Sequence, residues 1–293
     1  MVGRILQIIL PVFAIVAGGW LYGRLRGTEI GGLNRLNMDI FVPALILGAL
    51  AQKSFSLSEN AGLVAGSLAV VLGSGLLAWP IARWLGADPR TFVPPMMFNN
   101  SGNMGLPLAV LAFGEAQLPA AVALFVTSNL VHFTIGAHLV RRDAHVARLL
   151  LSPMILATAA GVALAGAGWP LPGWLGVTVR MVGDVAVPLM LFTLGIRMAA
   201  TRIDGWGVGL AGAIVRPVAG LAVALLAAPL LRLSPMHQAM LVLFASLPPA
   251  VLNFLLAEEY RQEPEKVASI VLVGHLASLV FVPLGLALAL RGG

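Results

Sequence analysis

The chain has 293 residues, of which 59% are hydrophobic and only 10% charged, with a mean hydropathy of +0.95. Soluble domains carry about 25% charged residues, so a water-soluble class is excluded and an integral, multi-pass membrane protein is expected. The absence of cysteine excludes disulfides, thiolate metal sites and cysteine nucleophiles, and the formal charge of +6 is scattered between apolar runs instead of gathered into a nucleic-acid-binding patch.

Ten apolar runs can be marked, each near the ~20 residues that cross a hydrocarbon core. They cover 5–23, 36–52, 61–85, 91–113, 118–140, 149–168, 174–198, 206–231, 236–257 and 267–290. The first follows Arg4 but continues through Trp20 to Arg24 without a small-residue cleavage site, so it reads as a helix and not as a signal peptide. Connections after odd-numbered spans hold twelve basic residues, among them Arg24, Arg90, Arg141, Arg197 and Lys266, against Arg4, Lys53, Arg232 and Arg291 on the other side. The odd connections are therefore expected in the cytoplasm, with both termini periplasmic or extracellular. Arginine far outnumbers lysine in an Ala-, Gly- and Leu-rich chain, which points to a bacterial inner membrane.

The spans repeat. Asp39 and Pro43 in span two answer Asp184 and Pro188 in span seven as D-x-x-x-P, at an offset of 145. Pro94-Pro95 in span four answers Pro248-Pro249 in span nine, at an offset of 154, and each pair is followed by Asn99 or Asn253. Pro11 and Pro153 open spans one and six. Five spans per half make the second half (141–293) enter the membrane inverted relative to the first (1–140), with the join at the basic stretch 141–145. The expected fold class is thus an all-α membrane protein of ten helices, two inverted five-helix repeats with broken spans four and nine.

A proline pair removes two backbone donors and wedges the preceding turn, and in lipid the freed carbonyls must find partners in protein or a water-lined cavity. Paired breaks in two halves point to a ligand site near the bilayer midplane. The restarting half-helix offers free N–H groups and a positive dipole end, an anion site. Asn99, Asn100, Ser101 and Asn103 add neutral donors and acceptors there, Gly102 and Gly105 permit close backbone approach, and Pro107 starts the next helical segment. Helix capping is the competing reading for these polar residues, and for Asn253 it stands level with ligand binding.

Intramembrane Asp39 and Asp184 are candidates for coupling H⁺ or Na⁺, against a structural pairing of Arg180 with Asp184 and a solvated Asp39. Thr127, Ser128, Asn129 and His132 in span five, with His275 and Ser278 in span ten, suit Na⁺ coordination or ordinary interhelical hydrogen bonding. Arg216 in span eight is a candidate for neutralising substrate charge or for a carbonyl contact. Two intramembrane aspartates also admit an aspartyl protease, but that leaves the paired breaks unexplained.

The segment Asn100-Ser101-Gly102-Asn103-Met104-Gly105-Leu106-Pro107 resembles the N-x(4)-G-x-P signature of the auxin efflux carrier family, which includes plant PIN transporters and bacterial carriers linked to malonate. Ser246-Leu247-Pro248 with Ala257-Glu258-Glu259-Tyr260, and Val187 to Gly195, are similar to that family's ninth and seventh spans. The resemblance implies a fold shared with bile-acid sodium symporters. Spans 1, 2, 6 and 7 would be a scaffold, and spans 3–5 and 8–10 a transport domain moving by an elevator mechanism. It implies a secondary carrier of small carboxylates and not an enzyme, without cofactor, with Na⁺ or H⁺ as candidate coupling ions. The implied partners are the anion, membrane lipid and a second copy of the chain; an uncoupled uniporter or channel is the alternative. One departure stands: the family's polar residue in span nine falls at Leu252, whereas this chain has Asn253.

Overall fold

The computed structural model describes residues 1–27, 29–51, 56–140, 151–201 and 204–290, and within them it is all-helical, without strands. The expected basic join at 141–145 lies outside these residues. Fifteen α-helices run in chain order among the described residues: α1 Val2–Arg26, α2 Gly31–Leu36, α3 Val42–Leu50, α4 Leu57–Trp84, α5 Pro89–Met97, α6 Leu106–Phe113, α7 Leu118–Val131, α8 Ala137–Val140, α9 Pro153–Ala167, α10 Gly173–Gly183, α11 Ala186–Ala200, α12 Trp206–Leu230, α13 Pro235–Ala245, α14 Val251–Glu259 and α15 Pro264–Ala289. Several starts are written in two residues. Asp88-Pro89, Ser152-Pro153 and Ser234-Pro235 each place a side-chain oxygen on the backbone N–H of Arg90, Ile155 or His237, while proline fills the first helical position, where no N–H is needed.

Among the described residues, seven helical segments are long and apolar enough to cross a bilayer: Val2–Arg26, Gly31–Leu50, Ser58–Trp84, Glu115–Val140, Gly173–Ala200, Trp206–Leu230 and Pro264–Ala289. The other three expected spans fail that criterion for a physical reason. Run 91–113 is split into α5 and a segment Ser101–Phe113, run 236–257 into α13 and α14, and run 149–168 has its described helix only from Pro153 to Ala167. Large apolar side chains such as Leu76, Trp84, Trp169, Trp174 and Leu230 are exposed on the outer surface, as lipid-facing positions should be.

Two packing groups form. In one, α1 lies along α11, and α3 against α9 and α10; in the other, α12 contacts α4, α5, α13 and α15, while α15 also contacts α14. The α1–α11 crossing is tight because Gly19 and Gly195 sit at it: a methyl on either would run into the backbone carbonyl of Phe192 or Val16. The groups meet where α11 faces the turn 101–105 and α3 faces α7. At one end of the second group, the connections before α5 and α15 are tied together. The Thr91 hydroxyl donates to Glu263 Oε2 at 2.6 Å, and Gln262 Nε2 donates to Asp88 Oδ2 at 3.0 Å. The Lys266 ammonium and the Thr91 hydroxyl hold the Glu263 carboxyl below its usual range.

Candidate functional site

The two broken segments cross each other. Helix α5 ends at Met97 and the chain restarts helically at Ser101; α13 ends at Ala245 and the chain restarts at Val251. Between those ends the strands of irregular backbone pair antiparallel at Asn99 and Pro249, with Asn100 N–H donating to Pro248 O and Ala250 N–H to Phe98 O, both at 2.8 Å. Carbonyls and amides released by the breaks thus satisfy one another across the crossing, which is what a low-dielectric interior requires.

Only one of the two breaks sits where its proline pair predicts. Pro248 and Pro249 lie inside the irregular segment, but Pro94 and Pro95 lie within α5, and the chain leaves the helix only after Met97. The carbonyls that Pro94 and Pro95 leave without a donor belong to Arg90 and Thr91, at the loop end of the helix, so the helix can run on. The first restart opens with a widened turn, Ser101–Gly105, in which the Met104 and Gly105 N–H groups both donate to Asn100 O.

A cavity of about 180 Å³ opens at the crossing, where the two packing groups meet. Asn99 to Asn103 and Ala250 to Leu252 form its floor, Phe125, Ser128, Asn129 and His132 one wall, and Asn34, Asn37, Met190, Thr193 and Arg197 the wall opposite. Both restarting half-helices point their first turns into it. Asn103, Met104 and Gly105 N–H already bind Asn100, and Asn253 N–H binds Ala250 O, so the donors left for a ligand are those of the opening residues Ser101, Gly102, Val251 and Leu252, where two positive helix ends converge on one space.

The candidate residues divide within this geometry. Asn103 and Ser101 line the cavity and have no side-chain partner among the described residues; Asn99 also lines it, with its amide donating to Phe244 O at 2.5 Å and its Oδ1 buried without a partner. Asn100 is largely committed to structure. Its Oδ1 accepts from Asn103 N–H at 3.3 Å, and its amide meets His275 Nε2 at 2.8 Å. His275 Nδ1 lies 2.7 Å from Val271 O, a carbonyl that can only accept, so Nδ1 carries the proton and Nε2 receives the Asn100 amide. Asn253 is not part of the cavity wall. Its amide donates to Phe98 O at 3.2 Å and to Ala250 O at 2.9 Å, while Leu252 lines the cavity in its place. Gly102 and Gly105 fit beneath Phe125 and Phe244, and Pro107 is buried in the first turn of α6.

Of the coupling candidates, Ser128 and Asn129 line the cavity, Thr127 does not, and His275 lines a smaller neighbouring one. Thr127 and Asn129 donate to the carbonyls of Ala123 and Phe125, four residues back, and the Ser278 hydroxyl donates to His275 O. His132 stacks on Phe98, ring centroids 4.0 Å apart, beside Asn253. Asp39 and Asp184 both have exposed side chains and line neither cavity. Among the described residues the ion pair within 4 Å is Lys266–Glu263, so Arg180 and Asp184 are not paired. Arg216 is fully buried behind the crossing, donating from Nη1 to Ala245 O at 3.4 Å, at the negative end of α13. Among the described residues, no group of three or more His, Cys, Asp or Glu could hold a metal ion. Sequence reading missed Arg197, Thr193, Asn34 and Asn37: Arg197 counted only as a loop cation, Thr193 lay unassigned within the Val187–Gly195 resemblance, and Asn34 and Asn37 carry no pattern that marks them.

The chain is similar to known membrane transporters. The sequence pattern of the family described as "Membrane transport protein" matches residues 137–286. A Rhizobium meliloti protein named "Putative malonate transporter" is 27% identical over 99% of this chain and 97% of its own length. An "Uncharacterized transporter" of Methanothermobacter thermautotrophicus is 25% identical over 95% of this chain and 96% of its own. "Auxin efflux carrier component 8" of Arabidopsis thaliana is 29% identical over 45% of this chain and 38% of its own. With more than half its length matched, this chain belongs to the membrane transport protein family related to the auxin efflux carriers, and it is a transporter and not an enzyme.

Proposed function

We propose that the protein is a secondary carrier of small organic anions, carboxylates in particular, working by elevator-type alternating access. The observation that carries this reading is the convergence of two half-helix N-termini, with the uncommitted Ser101 and Asn103 side chains, on one cavity at the meeting of two packing groups. Such a site holds a carboxylate by backbone N–H groups and neutral side chains. Two packing groups with a cavity between them suit movement of one past the other. In this reading α1–α3 and α9–α11 are the scaffold, and α4–α8 with α12–α15 the moving body. The two five-span halves, residues 1–140 and 141–293, are inverted repeats, and the odd connections face the cytoplasm of a bacterial cell with the chain in its inner membrane.

The name of the Rhizobium meliloti relative makes malonate the first ligand to try. Coupling to Na⁺ or H⁺ is best placed at Ser128, Asn129 and the Asn100–His275 pair, which adjoin the crossing, and not at the outward-facing Asp39 and Asp184. A thermal-shift screen of mono- and dicarboxylates, with and without Na⁺ at two pH values, tests the proposal. A carboxylate-specific rise in melting temperature that Asn103→Ala abolishes is expected. No shift with any carboxylate refutes it.

A further inference from the structure

We infer that Arg197 is the residue that selects substrates with a second negative charge, holding a distal carboxylate while the crossing holds the first. The inference rests on the anion-site reading above and names the substrate class of that same cavity.

Arg197 lies in the last turn of α11 and lines both the main cavity and the smaller one beside it, so its side chain stands on the partition between them. No other Asp, Glu, Lys or Arg lines either cavity among the described residues. The side chain is half-buried, yet it makes no hydrogen bond or ion pair with any described residue. Glu258 acts on it only through space. A half-buried guanidinium with open donors and no carboxylate in direct contact is an incomplete arrangement, since Glu258 stays beyond ion-pair distance, and the space it faces is where an anion is expected.

The rest of the cavity explains why the arginine would read a second charge and not the first. The crossing end supplies two sets of helix N–H groups, Ser101 and Asn103, which suffice for one carboxylate without a cation. Arg197 comes from α11, in the opposite packing group. A ligand held at both ends must therefore carry two acceptor groups, and a planar guanidinium matches a carboxylate with two parallel N–H donations. The cavity volume of about 180 Å³ suits a short diacid. An arginine that merely reached for lipid headgroups would give no such discrimination.

The experiment is isothermal titration of the purified protein with malonate and with monomethyl malonate, which differ by one charge at nearly equal shape. Wild type should prefer malonate by about tenfold or more, the effect of one charge-assisted contact. Arg197→Gln should weaken malonate to near the level of the ester and leave the ester within about twofold, and Arg197→Lys should keep part of the preference. Equal losses for both ligands, or an unchanged preference in Arg197→Gln, overturn the inference. If Arg197→Gln does not fold, Arg197→Lys decides: a preference identical to wild type overturns it. Asn103→Ala tests the underlying reading separately, because it should weaken both ligands alike. Full binding in that variant sinks the anion site itself, and wild-type protein that binds neither ligand sinks both.

Discussion

Asn253→Ala should destabilise the crossing without touching the ligand. The Asn253 amide makes two hydrogen bonds, to Phe98 O and Ala250 O, in a buried position. A net contribution of about 1 kcal/mol for each gives a loss of roughly 2 kcal/mol. Two features limit the cost: Phe98 O keeps its bond from Ala250 N–H, and removal of the side chain also removes an Oδ1 that has no partner. A total of about 1–2 kcal/mol is therefore expected, a fall of a few degrees in melting temperature. Because Leu252 and not Asn253 lines the cavity, the shift produced by saturating malonate should equal that of wild type. Paired melts with and without malonate read both quantities. Unchanged stability with a lost ligand shift would refute the assignment, placing Asn253 in the site and Leu252 behind it.

Gly195→Val should cost about 1–3 kcal/mol or prevent folding, since its branches would meet the Val16 carbonyl; a variant as stable as wild type in a denaturation titration would contradict the α1–α11 contact. Asp39→Asn and Asp184→Asn should leave malonate affinity within about twofold, and a larger loss by titration calorimetry would bring either residue into the site. The junction of Thr91, Gln262, Glu263 and Lys266 should weaken in acid. A carboxyl held below its unfolded pKa adds stability that is present above that value and lost as pH falls through the folded one, so the amide protection factors at Gln262–Val267, measured against the intrinsic exchange rate at each pH, should fall in acid in wild type and less in Glu263→Gln. With no native cysteine, single cysteines at Ser58 and Gln262 should label from opposite sides of intact cells, and labelling of both from outside would overturn the proposed orientation.

The helix starts at Pro89, Pro153 and Pro235 lie a few residues from the apolar-run boundaries 91, 149 and 236, because they are set by a capping oxygen in Asp88, Ser152 or Ser234 and a proline that needs no donor, and not by where hydrophobicity begins. The break at Pro248-Pro249 was legible because the proline pair removes two backbone donors where the helix stops. The break at 98–100 was not, because the effect of Pro94 and Pro95 falls on carbonyls at the loop end of α5, while the actual stop is set by pairing with a segment 150 residues away. One residue of register, Leu252 or Asn253, is a rotation of about 100° in a helix, which the sequence does not fix. The same indeterminacy hid Arg197, whose place at the end of an apolar run suits a loop cation equally well, and it made Asp39 and Asp184 read as interior when their helices turn them outward.

Counter-flow in proteoliposomes tests the central claim most directly. Vesicles preloaded with unlabelled malonate should accumulate labelled malonate transiently and saturably, and Ser101→Leu with Asn103→Leu should abolish the overshoot by filling the cavity at the crossing. A flux that does not saturate and is indifferent to internal malonate would contradict a carrier and describe an open pore.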